Sequence, residues 1–263
     1  MHNAELDRIL AAALADRRLL DHPFYRRWEA GKVSIAELGA YAAQYRHFER
    51  YLPAFLSRLT SALPEGPARD LVTANLDDEQ GDPVPHAELF EHFAAAVGAG
   101  ADPASPATDE LIGTYDDLLS DGPTPALAGF LAYESQAAEI ARSKAEGLRR
   151  HYQLDDSALR FWDHHAQLDV RHHAWAREAL ATSACTRDAV ETDLRRAADA
   201  WWAFLDEREA RQLTLSTDSG ATSIGTALRR RAIGSDRCND DQAIRRAPSA
   251  APNRHCRVRA RPQ

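Results

Sequence analysis

Lysine is almost missing from this chain of 263 residues: Lys32 and Lys144 stand against 30 arginines. Cysteine is nearly as scarce. Cys185, Cys238 and Cys256 form no CxxC pair, and two of them fall in the last 30 residues. That excludes a thiolate metal site and fits a reducing compartment. No stretch of about 18 apolar residues occurs, so no membrane-spanning helix is expected. The opening "MHNAELDRILAAALADRRLL" carries its acids early and lacks the basic-then-apolar order of a secretion signal. The expectation is a cytoplasmic protein. No alternating strand pattern persists, which leaves helices as the building material.

Charge is unevenly spread. From Thr214 onward there are ten Arg and four Asp, a net of +6, whereas the whole chain carries −8, so residues 1–213 carry −14. An acidic body argues against nucleic acid as the main partner. The basic segment has few large apolar residues and is rich in Arg, Ala, Ser and Pro. Its composition is that of a disordered tail. The expected division is a folded domain over residues 1–212 and a disordered basic tail over 213–263.

Within the folded part, Ala, Leu, Glu and Arg dominate, and apolar residues recur at three and four. Ser34 and Glu37 have capping-box spacing and open a long helix to about Leu63. "GPARDLVTANLDDEQ" forms another, closed by Gly81 and Pro83. "PHAELFEHFAAAVG" starts at Pro85, a favoured first-turn position, and stops at Gly98. One short and three long helical stretches follow, the last ending near Gln212. The fold class expected is all-α, a single bundle of seven to eight helices.

The densest chemistry lies in "FWDHHAQLDVRHHAW", residues 161–175. His165, Asp169 and His172 are spaced i, i+4, i+7 and share one helix face. Two imidazoles and a carboxylate are the usual ligands of iron, manganese or zinc, although a charged face with surplus histidines reads the same way. His164 and His173 point elsewhere, as solvated neighbours. Glu134 follows Phe130, Leu131 and Tyr133, where a buried helix continues, and a carboxylate there is costly unless paired or metal-bound. Glu139 is its competitor. Glu79 ends one helix and His86 begins the next, so a tight corner can aim both at one point. Either can equally be a surface or helix-start residue. Together these residues offer three carboxylates and three histidines, a number that suits two metal ions in a bundle core. The two ExxH motifs of a ferritin-like site are absent.

With these motifs in order, the chain resembles the heme-oxygenase-like di-iron oxidases and oxygenases. These belong to the superfamily of thiaminase II and pyrroloquinoline-quinone (PQQ) synthase. Within it, the chain is most similar to the CADD-type branch that makes p-aminobenzoate. The resemblance covers roughly residues 5–210, through "HPFYRRWEAGKVSIAELGAYAAQYRHF", "NLDDEQGDPVPH", "AYESQAAEIARSKAEGL" and "HHAQLDVRHH". It implies Glu79, His86, Glu134, His165, Asp169 and His172 as ligands of two iron ions, or of iron and manganese. It also implies dioxygen as co-substrate and an external reductant. In that branch the substrate is a tyrosine of the protein itself, and a lysine supplies the amino group. The resemblance places these roles on Tyr25 and Lys144, and gives Tyr133 a part in radical transfer. That an otherwise arginine-rich chain keeps an amine at 144 fits, since only an amine can donate nitrogen. The chain departs from the pattern at Phe161, where a tyrosine is expected one turn before His165.

Other readings stay open. The same centre can oxidise an external amino acid or amine, or cleave a carbon–carbon bond. A PQQ-synthase-like oxidase works without metal. A thiaminase-II-like hydrolase needs a cysteine among the site helices, and all three cysteines lie at or after 185. A non-catalytic helical binding module needs no site at all. A homodimer is compatible with the resemblance, and no residue specifies it.

Overall fold

The structure is a computed structural model that describes residues 2–81, 84–183 and 186–231, with side chains through Gln212. The chain divides into two units, 1–217 and 218–263. Of the second, only the end of its helix, to Arg231, is described.

Among the described residues every regular element is helical. The elements are α1 (Asn3–Ala13), α2 (Pro23–Glu29), α3 (Ile35–Ala62), α4 (Pro67–Gln80), α5 (His86–Ala96), α6 (Pro106–Asp121), α7 (Pro123–His151), α8 (Asp156–Thr182) and α9 (Arg187–Arg231), with one 3-10 turn, Leu19–Asp21. These nine α-helices exceed the seven to eight expected, and α2 is the addition. Its N-cap is His22, whose Nδ1 accepts from the Phe24 amide at 3.1 Å while Nε2 lies 3.0 Å from Asp206. The imidazole therefore carries its proton on Nε2 and ties α2 to α9. Pro23 supplies a first-turn φ, and Gly31, at φ 66, lets the chain leave. The last helix runs past Gln212, where the sequence reading ended it. The remainder of the basic segment, 232–263, lies outside the described residues.

Caps account for the longer helices. Ser34 Oγ accepts from the Glu37 amide, and Glu37 Oε2 accepts in return from the Ser34 amide at 2.8 Å. Asp155 caps α8 by accepting from the Ala158 amide at 3.0 Å. The antiparallel pair α7 and α8 packs along most of its length. Both α4 and α5 lie against α8, with α3 behind them. The core between them is aromatic: Trp28, Tyr41, Tyr45, Phe48, Phe90, Phe93, Trp162 and Trp201 are all nearly inaccessible. Burial of such a side chain contributes roughly 1.5–3 kcal/mol each. No helix among the described residues is long and apolar enough to cross a membrane.

Candidate metal centre

The inward stripe of α8 reads Phe161, Trp162, His165, Asp169, His172, Ala176, Ala179, Leu180, all buried. Its spacing of three and four is that of an ordinary core face. Three of its middle positions are ionisable. On α7 the same substitution occurs once near the centre: Glu134 follows an unbroken buried run from Ala126 to Tyr133. The corner between α4 and α5 supplies Glu79 and His86. Gly81 makes that corner, at φ 61, and a Cβ there would lie 2.1 Å from the Val84 carbonyl oxygen. Glycine is therefore required for the chain to turn here.

These six side chains form two adjoining triads, Glu79–His86–His165 and Glu134–Asp169–His172, each with its ligand atoms within 4.8 Å of one another. None is more than 9% exposed. His86 Nδ1 lies 3.0 Å from Glu79 Oε2, and Glu79 Oε1 lies 3.7 Å from His172 Nδ1. Glu79 thus faces both triads. His172 Nδ1 is also 3.5 Å from Asp169 Oδ1 and 3.9 Å from Glu134 Oε2. His165 Nδ1 donates to the Phe161 carbonyl at 2.8 Å, which leaves Nε2 as its lone-pair nitrogen.

The electrostatics are those of carboxylates and imidazoles gathered in a buried cluster. Burial, then the charges of Asp169, Glu79 and Glu49, drives the Glu134 carboxyl well above its usual range. Burial, then Glu79 and Glu49, does the same to Asp169. Burial pushes His165 down to about 3. Glu134 Oε2, Asp169 Oδ1 and His172 Nδ1 are buried without any hydrogen-bond partner. Orphaned polar atoms of this kind are costly, and a cation held among the three would offset that cost. Neutral imidazoles, carboxylates and no thiolate match iron, manganese or zinc.

A second group lies beside the first. Lys144, 1% exposed, places Nζ 2.7 Å from Tyr41 Oη. Tyr41 Oη is 3.1 Å from Tyr25 Oη. Burial holds the Lys144 amine well below its usual value and raises the Tyr25 phenol. The ammonium position is ringed by aromatic faces, including Trp162 at 4.2 Å and Tyr25 at 4.6 Å. Tyr133 Oη meets Tyr45 Oη at 2.5 Å.

Four participants escape the sequence reading. Tyr41, Tyr45 and Glu49 recur every fourth residue along α3, a signal present in "AYAAQYRHFER" but indistinguishable there from a core stripe with an outer glutamate. Glu49 is 5% exposed, and burial, then the charge of Glu79, raises its carboxyl to about 8. The fourth is His164, which is exposed as expected yet reaches the cluster: Nε2 lies 3.0 Å from His86 Nε2, at the edge of a 570 Å³ cavity lined also by Asp78, Asp163 and Arg171. His173 is half-buried on the α1 side, near Asp7 and Arg177. Glu139, the rival of Glu134, is a surface residue paired with Arg18 at 3.4 Å. Phe161 packs its ring 4.1 Å from that of His165 and brings no hydroxyl there.

The fold and this carboxylate–histidine cluster define an iron-type oxidoreductase. The chain belongs to the iron-containing redox enzyme family, whose pattern it matches over residues 39–207. It is 34% identical over 213 residues to the 4-aminobenzoate synthase of Nitrosomonas europaea, covering 73% of this chain and 86% of that one. It is 27% identical over 206 residues to the 4-aminobenzoate synthase of Chlamydia pneumoniae, covering 75% and 92%. A CADD-like protein of unknown function from Nostoc punctiforme shares the fold with a TM-score of 0.67 at 18% identity, over 80% of this chain and 97% of that one.

Proposed function

We propose that this protein makes 4-aminobenzoate from its own Tyr25, with nitrogen from Lys144, at a dinuclear iron centre that uses dioxygen. The observation that carries the reading is the joining of Tyr25 and Lys144 through one phenol, Tyr41, in a dry aromatic pocket beside the two triads. The relatives named 4-aminobenzoate synthase support it.

Glu79, His86 and His165 would hold one metal ion, and Glu134, Asp169 and His172 the other. When bound, two iron ions, or iron and manganese, would supply the oxidising power, drawing on dioxygen and an external reductant. The protein's own part is to position and to exclude water. Trp28 and Trp162 close the pocket around the lysine, and Phe24 stacks on Tyr41. Burial lowers the proton affinity of the Lys144 nitrogen, which favours the unprotonated amine whose lone pair can bond to carbon. Tyr41 holds the phenol of Tyr25 and the amine of Lys144 on one oxygen, which fixes their mutual approach.

A second reading is oxidation of an external amine or amino acid by the same centre. Phe161 favours it, because no phenol stands beside His165. One experiment separates the two. Protein loaded with ferrous iron without oxygen is analysed for metal, then exposed to dioxygen, and its peptides are mapped. About two irons per chain, lost in Glu134→Ala and His165→Ala, and a mass change at Tyr25 with release of 4-aminobenzoate are expected. An intact Tyr25 in iron-loaded protein would exclude the internal substrate and leave the external one. Absence of stoichiometric metal would return a PQQ-synthase-like, metal-free oxidase.

A further inference from the structure

We propose that Tyr45 is the relay that carries oxidation from Tyr133, beside the metal ligands, to the Tyr41–Tyr25–Lys144 group. The inference rests on the function proposed above.

Tyr133 precedes Glu134 in sequence, yet no described contact joins its phenol to Tyr25 or Lys144. Tyr45 bridges them. It is 2% exposed, and its Oη lies 2.5 Å from Tyr133 Oη. Its ring stacks on Tyr41 with centroids 5.4 Å apart and planes at 23°. From Tyr41 the phenol of Tyr25 is 3.1 Å away and the Lys144 amine 2.7 Å. Every step is thus a hydrogen bond or a ring stack. Tyr133 also neighbours Trp201, stacked at 4.3 Å, and Phe48, at 6.1 Å, but Trp201 Nε1 donates to Tyr115, away from Tyr25, and Phe48 has no phenol. On the α8 flank Phe161 has no phenol to offer.

The chemistry balances along this line. Tyr133 gives one electron and its phenolic proton to dioxygen, the terminal oxidant, and its O–H bond breaks. Tyr45 then passes its phenolic hydrogen atom to the Tyr133 oxygen, which restores Tyr133. Tyr41 supplies the next electron through the stacked rings. Its proton moves to the unprotonated Lys144 amine 2.7 Å away, and the Tyr45 oxygen recovers a proton from Glu49, the buried carboxyl one turn further along α3. Tyr25 finally passes its phenolic hydrogen atom to the Tyr41 oxygen. The net result is one hydrogen atom from Tyr25 to dioxygen; the proton that passed from Glu49 to Lys144 returns to Glu49 before the amine's lone pair bonds to carbon.

The test compares full-length wild type with Tyr45→Phe, both loaded with ferrous iron without oxygen and then exposed to dioxygen. Three readouts are taken: iron per chain, Tyr25 conversion by peptide mass, and freeze-quenched electron paramagnetic resonance. Tyr45→Phe is expected to bind as much iron as wild type and to convert Tyr25 at least tenfold less. Its tyrosyl signal should persist and disappear on adding Tyr133→Phe. Incorporation of 3-fluorotyrosine at 45 should restore conversion, because the phenol returns, and add fluorine hyperfine coupling to the signal. Since phenylalanine keeps the ring, a packing role would leave conversion unchanged. Conversion at the wild-type rate in Tyr45→Phe overturns the relay. If wild type itself leaves Tyr25 intact, the internal-substrate reading fails separately. The relay then stands on the fluorine coupling at 45, and its absence overturns it.

Discussion

Glu49 is the clearest case of a charge placed where the fold resists it. In the unfolded chain its carboxyl titrates near 4.5, and in the fold burial raises it to about 8. The folded state therefore holds a proton that the unfolded state releases. The associated stability is whole below pH 4.5 and is lost as pH rises toward 8. Glu49→Gln, which mimics the protonated form, should raise the melting temperature of metal-free protein by several degrees at pH 8 and leave it unchanged at pH 4, measured by circular dichroism. Equal shifts at both values would mean that Glu49 is not buried as described. Glu134 and Asp169 follow the same logic with a functional twist. In metal-free protein, Glu134→Gln removes a carboxyl that burial and its neighbours disfavour. It should change apo stability by no more than about 1 kcal/mol or raise it, consistent with the cost of buried charge. Iron binding should nevertheless fall at least a hundredfold, read by anaerobic titration. Loss of several kcal/mol of apo stability would instead make Glu134 a structural residue.

At the scale of elements, the α4–α5 corner joins backbone strain to the site. Gly81→Ala places a Cβ against the Val84 carbonyl at a φ of 61. It should cost about 1–3 kcal/mol in denaturant unfolding. It should weaken metal binding more than Ser34→Ala does, although the latter also costs about 1 kcal/mol by removing a cap. Equal metal affinity in the two variants would show that the corner does not set the ligand geometry. This corner was legible beforehand, because glycine and proline punctuate the chain between Glu79 and His86. So was α8, because ionisable residues at positions 165, 169 and 172 interrupt an apolar stripe of helical period. By contrast, α2 was hidden: it is two turns long, and its cap is a histidine rather than Ser, Thr, Asp or Asn. The tyrosines of α3 were hidden differently. Tyr41 and Tyr45 occupy core positions, and a phenol in a core stripe looks like any packed aromatic until its oxygen finds a partner. His164 is exposed, as its helical phase suggests, but its contact with His86 was hidden because that partner comes from another helix.

For the whole molecule, folding and metal binding share one balance. The fold gathers three carboxylates and three histidines into a dry core, a cost in stability that a bound cation would offset. A divalent ion at a hundred times its dissociation constant adds about 2.7 kcal/mol by mass action. Chelation should therefore lower the melting temperature of iron-loaded wild type while leaving Glu134→Ala unmoved. Protons must move as well. Glu134 and Asp169 hold theirs far above the usual carboxylate range when no cation is present, whereas ligation requires the ionised forms. The imidazoles add little to the exchange, since burial already keeps His165 and His172 neutral. Anaerobic addition of ferrous iron at pH 7 should thus release protons to the buffer, at least one per chain. Calorimetry in two buffers of different ionisation enthalpy measures that number directly. Release should vanish in a Glu134→Gln, Asp169→Asn double variant. If wild type releases none, the carboxylates are ionised before the metal arrives, and the cluster carries its charge by some means other than protonation.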